Sequence, residues 1–384
     1  MRIANRYHRG LVISTLIATL ALGVTACGST SATSPTGSGQ LSSSEMTTLQ
    51  SAVTTAEGIP SFTAPGPSFD ASPANGKTVV AVPLSSQIPY CAGIVQDMVT
   101  IGKQLGVTVT NYTSSGQPSD WEAAATLAYS EDASAFTTIC GIDPSNLEPQ
   151  IAKLNSATIP TVALLGDVSL SVPSNVAGGA SIQLNLAADL LDDLAVVNNA
   201  GKPFDALVLT DYEIYGAHSP TNEAVAHFKS IYGSSFNAQV MSVPQADWSS
   251  AVGGTVSTEL TRDPKITAII VLYDGMVPGM VSAVENAHRT GLKIYTYGAS
   301  GGVVDLINST HGMVAADIGA STEWTAYSQM DQVLRVMTGQ PATPYKDEYP
   351  PLRLWDTTNY SDFNGADPYG TAYAADYDQL WGVK

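Results

Sequence analysis

Basic residues are scarce in this chain. Against 34 aspartates and glutamates stand 16 lysines and arginines, and three of those (Arg2, Arg6 and Arg9) fall within the first nine positions. Without them the balance is 13 − 34 = −21, an acidic surface that repels phosphate backbones and anionic headgroups. Nucleic acid is excluded as a partner on that ground. Histidine is also rare, with 5 copies, and His218, His227, His288 and His311 lack the spacing of zinc ligands. There is no Walker A loop and no H-E-x-x-H, so nothing in the sequence calls for a metal or a cofactor. Cysteine occurs three times, as Cys27, Cys91 and Cys140, too few for a disulfide-stapled miniature fold.

What is present at the amino end is an export pattern. The early arginines precede an apolar stretch, Leu11 to Val24, which is too short to span a bilayer comfortably. Val24-Thr25-Ala26-Cys27 then resembles a bacterial lipobox, which implies acylation of Cys27 and a signal peptide over residues 1–26. An ordinary secretory signal with an incidental cysteine is the alternative. Residues 27–75 are rich in Ser, Thr, Gly, Ala and Pro and read as a flexible tether.

From about Lys77 onward, apolar runs alternate with helical stripes. "TVVAVPL" (78–84) suits a strand buried on both faces, and Ile94, Met98, Ile101 and Leu105 form the stripe of the helix that follows. Ser119 and Glu122 have the form of a capping box. "AFTTICG" and "TVALLG" continue the alternation, and it restarts with "DALVLT", "AQVMSV", "ITAIIVLY", "KIYTY" and "GMVAADIG". Repeated strand and helix imply parallel sheets with crossover helices. The expectation is α/β with two doubly wound lobes: residues 76–180 plus about 320–340, then 181–319 plus about 341–384. The final stretch is Pro- and Tyr-rich, with "LRLWD" as one strand and no strong helix.

The order of elements over about residues 77–360 resembles the type I periplasmic sugar-binding proteins of ABC importers. "AVPLSSQIPYCAGIVQDMVTIGKQLGVTVT", "DPSNLEPQIAKLNSATIPTVAL", "PQADWSSAVGGTVSTEL" and "ITAIIVLYDGMVPGMVSAVENAHRTGLKIYTYG" carry the likeness. It implies two parallel-sheet lobes joined by a three-strand hinge, closing on a small polar solute, sugar or polyol, that is handed to a permease. The implied protein is a monomer outside the cytoplasm, held to the membrane only by its lipid. A receptor that presents its closed form to a sensor kinase is a second reading.

Ligands of open parallel sheets sit beyond the carboxyl ends of the strands. The residues there are Ser85, Ser86, Gln87 and Tyr90 after the first strand, Asp167 after the fourth, and Asp211, Tyr212 and Tyr215 after the first strand of the second lobe. Trp248 stands where the family stacks an aromatic on a sugar ring, and Tyr273 and Asp274 where it has an Asn-Asp pair; Ser300 lies in the loop after "KIYTY". The family's arginine is replaced by Asn222 or a neighbour, and its aspartate after "KIYTY" by Gly298. In strand order 2-1-3-4-5 the first and third strands are neighbours. Cys91 and Cys140 then lie near one sheet edge, within disulfide reach; a bond between them is expected, and two packed thiols are the alternative.

One stretch supports a different class. Gly298-Ala-Ser300-Gly-Gly302 fits G-x-S-x-G after a strand and before a helix, the form of a serine hydrolase elbow. Its acid and base would have to be Asp305 and His311, too close in sequence to form a relay.

Overall fold

The structure is a computed structural model that describes residues 41–166, 173–214 and 216–383; Cys27, Asp167 and Tyr215 lie outside them. The first sheet is built from β1 (Thr78–Pro83), β2 (Thr108–Asn111), β3 (Ala135–Ile139) and β4 (Thr161–Ala163), parallel and in the order β2-β1-β3-β4. The second contains β5 (Asp205–Thr210), β6 (Asn237–Ser242), β7 (Ile266–Val271), β8 (Lys293–Tyr297), β9 (Val314–Gly319) and β10 (Arg353–Asp356). Its order is β10-β9-β8-β7-β5-β6, and only β10 runs antiparallel. β1, β3 and β9 are buried along almost their whole length, as expected of strands covered by helices on both faces.

The helices are α1 (Ser43–Glu57), α2 (Pro89–Gln104), α3 (Pro118–Ser130), α4 (Glu148–Ser156), α5 (Leu184–Asn198), α6 (His218–Tyr232), α7 (Trp248–Arg262), α8 (Val277–Asn286), α9 (Gly301–Ser309), α10 (Thr322–Met337) and α11 (Ala372–Leu380). The predicted capping box at Ser119 and Glu122 is not formed. Pro118 takes the first turn of α3, where its missing N–H costs nothing, and Asp120 reaches back to accept from the Ser115 backbone N at 2.7 Å.

Two expectations about the chain ends are overturned. The tether expected over residues 27–75 is interrupted, because residues 43–57 are helical. α1 opens with a capping box between Ser42 and Glu45 and packs on α5 and β10. Its Met46, Leu49 and fully buried Val53 supply the apolar contact. The tail, expected to lack a strong helix and to go with the second lobe, contains α11. That helix lies on α10 and buries Tyr373, Tyr377 and Leu380, with Trp381 just beyond its end.

These docks also change the hinge. The turn from β9 into α10 and residues 338–352 are two of the three expected crossings, since α10 packs on α2 of the first lobe; the third, between β4 and α5, runs through residues outside the described ones. Two more are made by residues 58–77 and 357–371, which join α1 to the first lobe and β10 to α11. Polar side chains fix the central crossings. Gln329 donates to the Thr137 hydroxyl and accepts from Ala180 N, each at 2.9 Å. Tyr345 places its hydroxyl 2.9 Å from the carbonyl oxygens of Ala163 and Gly178. Buried groups satisfied in this way hold one arrangement, because leaving either partner unpaired costs about 1–3 kcal/mol.

Candidate functional site

The carboxyl ends of β1 in the first lobe and of β5, β7 and β8 in the second converge on one cleft. It has two parts. An inner chamber of about 40 Å³ is walled by Leu84, Ile88, Tyr90, Ile182, Leu184, Ile214, Trp248, Tyr273, Asp274 and Tyr297, together with Cys91 and Cys140. The outer mouth, about 780 Å³, adds Gln87, Ser115, Gln245, Ser249 and Ser300, and shares Ile88, Trp248, Asp274 and Gly275 with the chamber. None of the lining residues of either part is lysine, arginine or histidine.

Cys91 and Cys140 are joined by a disulfide with 5.9 Å between Cα atoms. Because β1 and β3 are adjacent, the start of α2 and the end of β3 meet at the chamber's edge.

Asp274 sits at the junction of chamber and mouth and is 4% exposed. Its Oδ2 accepts from Ser300 N at 2.8 Å, which tethers the carboxylate to the start of α9. Burial nevertheless pushes its carboxyl up to about 6. The carboxylate lies directly over Gly298, where an added Cβ would meet Asp274 Cγ at 2.2 Å; only glycine allows that approach. Behind it, burial and the Asp274 charge hold Asp317 well above the usual carboxylate range, while its Oδ1 accepts from Ala299 N at 2.9 Å.

The aromatic residues offer faces, and Trp248, Tyr90 and Tyr297 keep their polar tips engaged. Trp248 is 6% exposed; its Nε1 donates to Val243 O at 2.9 Å, and its ring stacks on Tyr273 with centroids 5.8 Å apart. Gly275 lies against that ring, where a Cβ would come within 2.7 Å. Tyr90 shares a hydrogen bond of 3.1 Å with Thr325 of α10, and Tyr297 donates to Ile182 O at 3.0 Å. Burial raises the Tyr90 phenol to about 12. The Tyr273 phenol is pushed above its ordinary range by burial and by the Asp211 carboxylate, and its hydroxyl has no partner.

Of the expected site residues, Gln87, Tyr90, Trp248, Tyr273, Asp274 and Ser300 are brought together here. Five others are placed elsewhere. Ser85 is fully buried, and its Oγ accepts from Gln87 N, so it shapes the loop instead of facing the cleft. Ser86 Oγ accepts from Ser114 N. Asp211 is fully buried behind the wall, accepting from Glu213 N, and burial pushes its carboxyl up to about 6. Tyr212 stacks on His218 at 4.0 Å with part of its ring in solvent, and Asn222 is exposed on α6. The chamber residues Tyr297, Ile182, Leu184 and Ile214 and the mouth residue Gln245 were not anticipated. Tyr297 ends β8 and Gln245 follows β6, so the strand-end rule reaches both; the three aliphatics carry no chemical signal.

The relay needed for serine hydrolysis is not assembled. Ser300 precedes α9 and His311 follows it, a separation of roughly 14 Å along nine helical residues.

The sequence pattern of the periplasmic binding protein domain matches residues 79–341, more than half of the chain and all of the strands except β10. The chain belongs to this family. No curated protein sequence matches it. Among solved structures, this periplasmic binding protein is similar to an ABC sugar transporter subunit from Rhodobacter sphaeroides, with 16% identity, TM-score 0.62, and 74% of this chain and 99% of that one covered. It is also similar to an ABC transporter solute-binding protein from Agrobacterium vitis with bound allitol, at 15% identity and TM-score 0.63, covering 74% and 97%. A third is an ABC transporter solute-binding protein from Mycobacterium smegmatis with bound glycerol, at 14% identity and TM-score 0.63, covering 77% and 99%. At these identities the likeness shows the fold, two α/β lobes with parallel sheets.

Proposed function

We propose that this protein is the extracytoplasmic solute-binding component of an ABC importer, capturing a sugar or polyol between its lobes. The observation that carries this reading is the meeting of strand ends from both lobes around one carboxylate, Asp274, and the Trp248–Tyr273 stack. Aromatic faces match the C–H faces of carbohydrates, and a buried carboxylate is a strong acceptor for hydroxyl donors. Structures similar to this one hold allitol and glycerol, which supports the ligand class. On this reading the protein does no chemistry. The ligand stabilises the closed form by touching both lobes at once, and it shifts a hinge equilibrium by that difference in contact. Acylation of Cys27, which lies outside the described residues, would keep the protein near its permease.

A thermal-shift screen of the exported chain against sugars and polyols tests the reading. A ligand at a hundred times its Kd stabilises by about 2.7 kcal/mol, a rise of about 4 °C for a body of this size. No shift from any compound, together with ester hydrolysis lost on Ser300→Ala, would replace the receptor by a hydrolase.

A further inference from the structure

The chamber and the mouth differ in chemistry. In the chamber the polar tips of Tyr90, Tyr297 and Trp248 are already engaged with Thr325, Ile182 O and Val243 O, so these rings present carbon to the interior. Leu84, Ile182, Ile214 and the Cys91–Cys140 disulfide complete the wall, and sulfur is a weak hydrogen-bond partner. Asp274 is the polar side chain that the chamber shares with the mouth, where Gln87, Ser115, Gln245 and Ser249 gather; the Tyr273 hydroxyl is buried without a partner, close enough to feel the Asp211 carboxylate behind the wall. A ring with a hydroxyl on every carbon would leave several of them unpaired inside such a chamber, and each unpaired buried hydroxyl costs about tenfold or more in affinity.

We infer that the ligand is a sugar or polyol carrying a small apolar substituent: the substituent fills the inner chamber, and the hydroxyls lie in the mouth against Asp274. This rests on the carbohydrate reading above and narrows it. The chamber, at about 40 Å³, has room for a few water-sized groups, so the substituent has one to about three heavy atoms, as in a methyl, ethyl or methylthio group. Ile88 and Trp248, which line both parts, form the waist between the substituent and the polar ring. Larger aglycones exceed the chamber, whose wall includes Leu84 and the disulfide, neither of which lines the mouth.

Calorimetric titration with matched pairs tests this: ribose and glucose against their methyl, ethyl and methylthio derivatives, and each against the phenyl glycoside. The substituted member of a pair is expected to bind roughly tenfold more tightly, the worth of burying two carbon-sized groups, and the phenyl member more weakly than either. In Leu84→Ala, which enlarges the chamber, the preferred substituent should grow by two or three carbons; circular dichroism confirms that this variant is folded. Equal or tighter binding of the unsubstituted sugars, or an unchanged preference in the folded Leu84→Ala protein, overturns the inference and leaves the carbohydrate reading standing. Binding of none of the compounds overturns the inference, and the carbohydrate reading falls with it when the wider sugar and polyol screen also gives no shift.

Discussion

Replacing Asp274 by asparagine separates the cost of the site from its use. The carboxylate is buried, accepts from Ser300 N, and has its pKa raised from 3.8 to about 6. A carboxyl whose folded value is raised binds its proton more tightly when folded, so it favours folding below the unfolded value. That contribution is lost as pH climbs through about 6. At 1.36 kcal/mol per unit, the burden at pH 7.5 relative to pH 4 is about 3 kcal/mol. Asparagine keeps an acceptor for Ser300 N and removes the charge. Unliganded Asp274→Asn should therefore be more stable than the wild type at pH 7.5 by up to about 3 kcal/mol, a gain of about 4 °C, and no more stable near pH 4. Asp211 and Asp317 are raised as well, so both proteins gain stability on acidification; the difference between their slopes reports Asp274 together with the relief of Asp317, which the Asp274 charge helps to hold up. Urea denaturation at pH 4.5, 6 and 7.5 measures it. Parallel slopes would show that the carboxylate is solvated in the folded protein, which would refute the enclosed site. A group that destabilises the empty protein is a signature of a binding position, and sugar affinity should fall as stability rises.

Two further substitutions probe the frame around it. Removing the Cys91–Cys140 bridge, which spans 49 residues, as Cys91→Ala with Cys140→Ala frees loop entropy worth about 4 kcal/mol on the chain-closure relation. The melting temperature should drop by about 6 °C for a body of this size, with weaker ligand binding; a loss under 1 kcal/mol would show that the two segments are held in place without the bond. Gly298→Ala drives a methyl into the Asp274 carboxyl at a backbone φ of +150° and should cost about 3 kcal/mol from overpacking and backbone strain together. Adding Asp274→Ala should recover the overpacking share in a double-mutant cycle; no recovery would place the conflict in the backbone alone.

Strands buried on both faces announce themselves by composition, which is why β1, β3, β5 and β7 and their order were legible. So was the disulfide, once adjacency of β1 and β3 followed from the winding. α1 was hidden because its contact stripe is thin. Met46, Leu49 and Val53 sit among serines and threonines that also suit a tether, and only docking on α5 and β10 makes the helix worthwhile. α11 escaped for a related reason: tyrosine and tryptophan carry no strong helix propensity, and their value lies in rings stacked on α10, such as Tyr373 on Trp324 at 4.2 Å. Site residues failed differently. The strand-end rule locates a loop but not which of its side chains turns inward, so Ser85 and Ser86 bond to neighbouring backbone while Gln87 faces the mouth.

The comparison at Gly298 shows how a sequence departure differs from a chemical one. The resemblance puts an aspartate at this position, and its replacement by glycine reads as a lost anchor. In the structure the absent side chain is what gives Asp274 its place: the carboxylate occupies the space over Gly298 and takes the backbone N of Ser300. Of the two acids that the resemblance implies, the one after β7 is kept as Asp274 and the one after β8 is gone. Two carboxylates there would stand in contact with no basic residue lining the cleft to balance them, and Asp317 already lies behind. One carboxylate on glycine leaves room for a ligand where a second would fill it, and it leaves the walls beyond to aliphatic and aromatic carbon. The departure thus trades a second polar anchor for apolar surface, which is the physical reason a hydroxyl-rich ring alone should suit this cleft less well than one bearing a small hydrocarbon group.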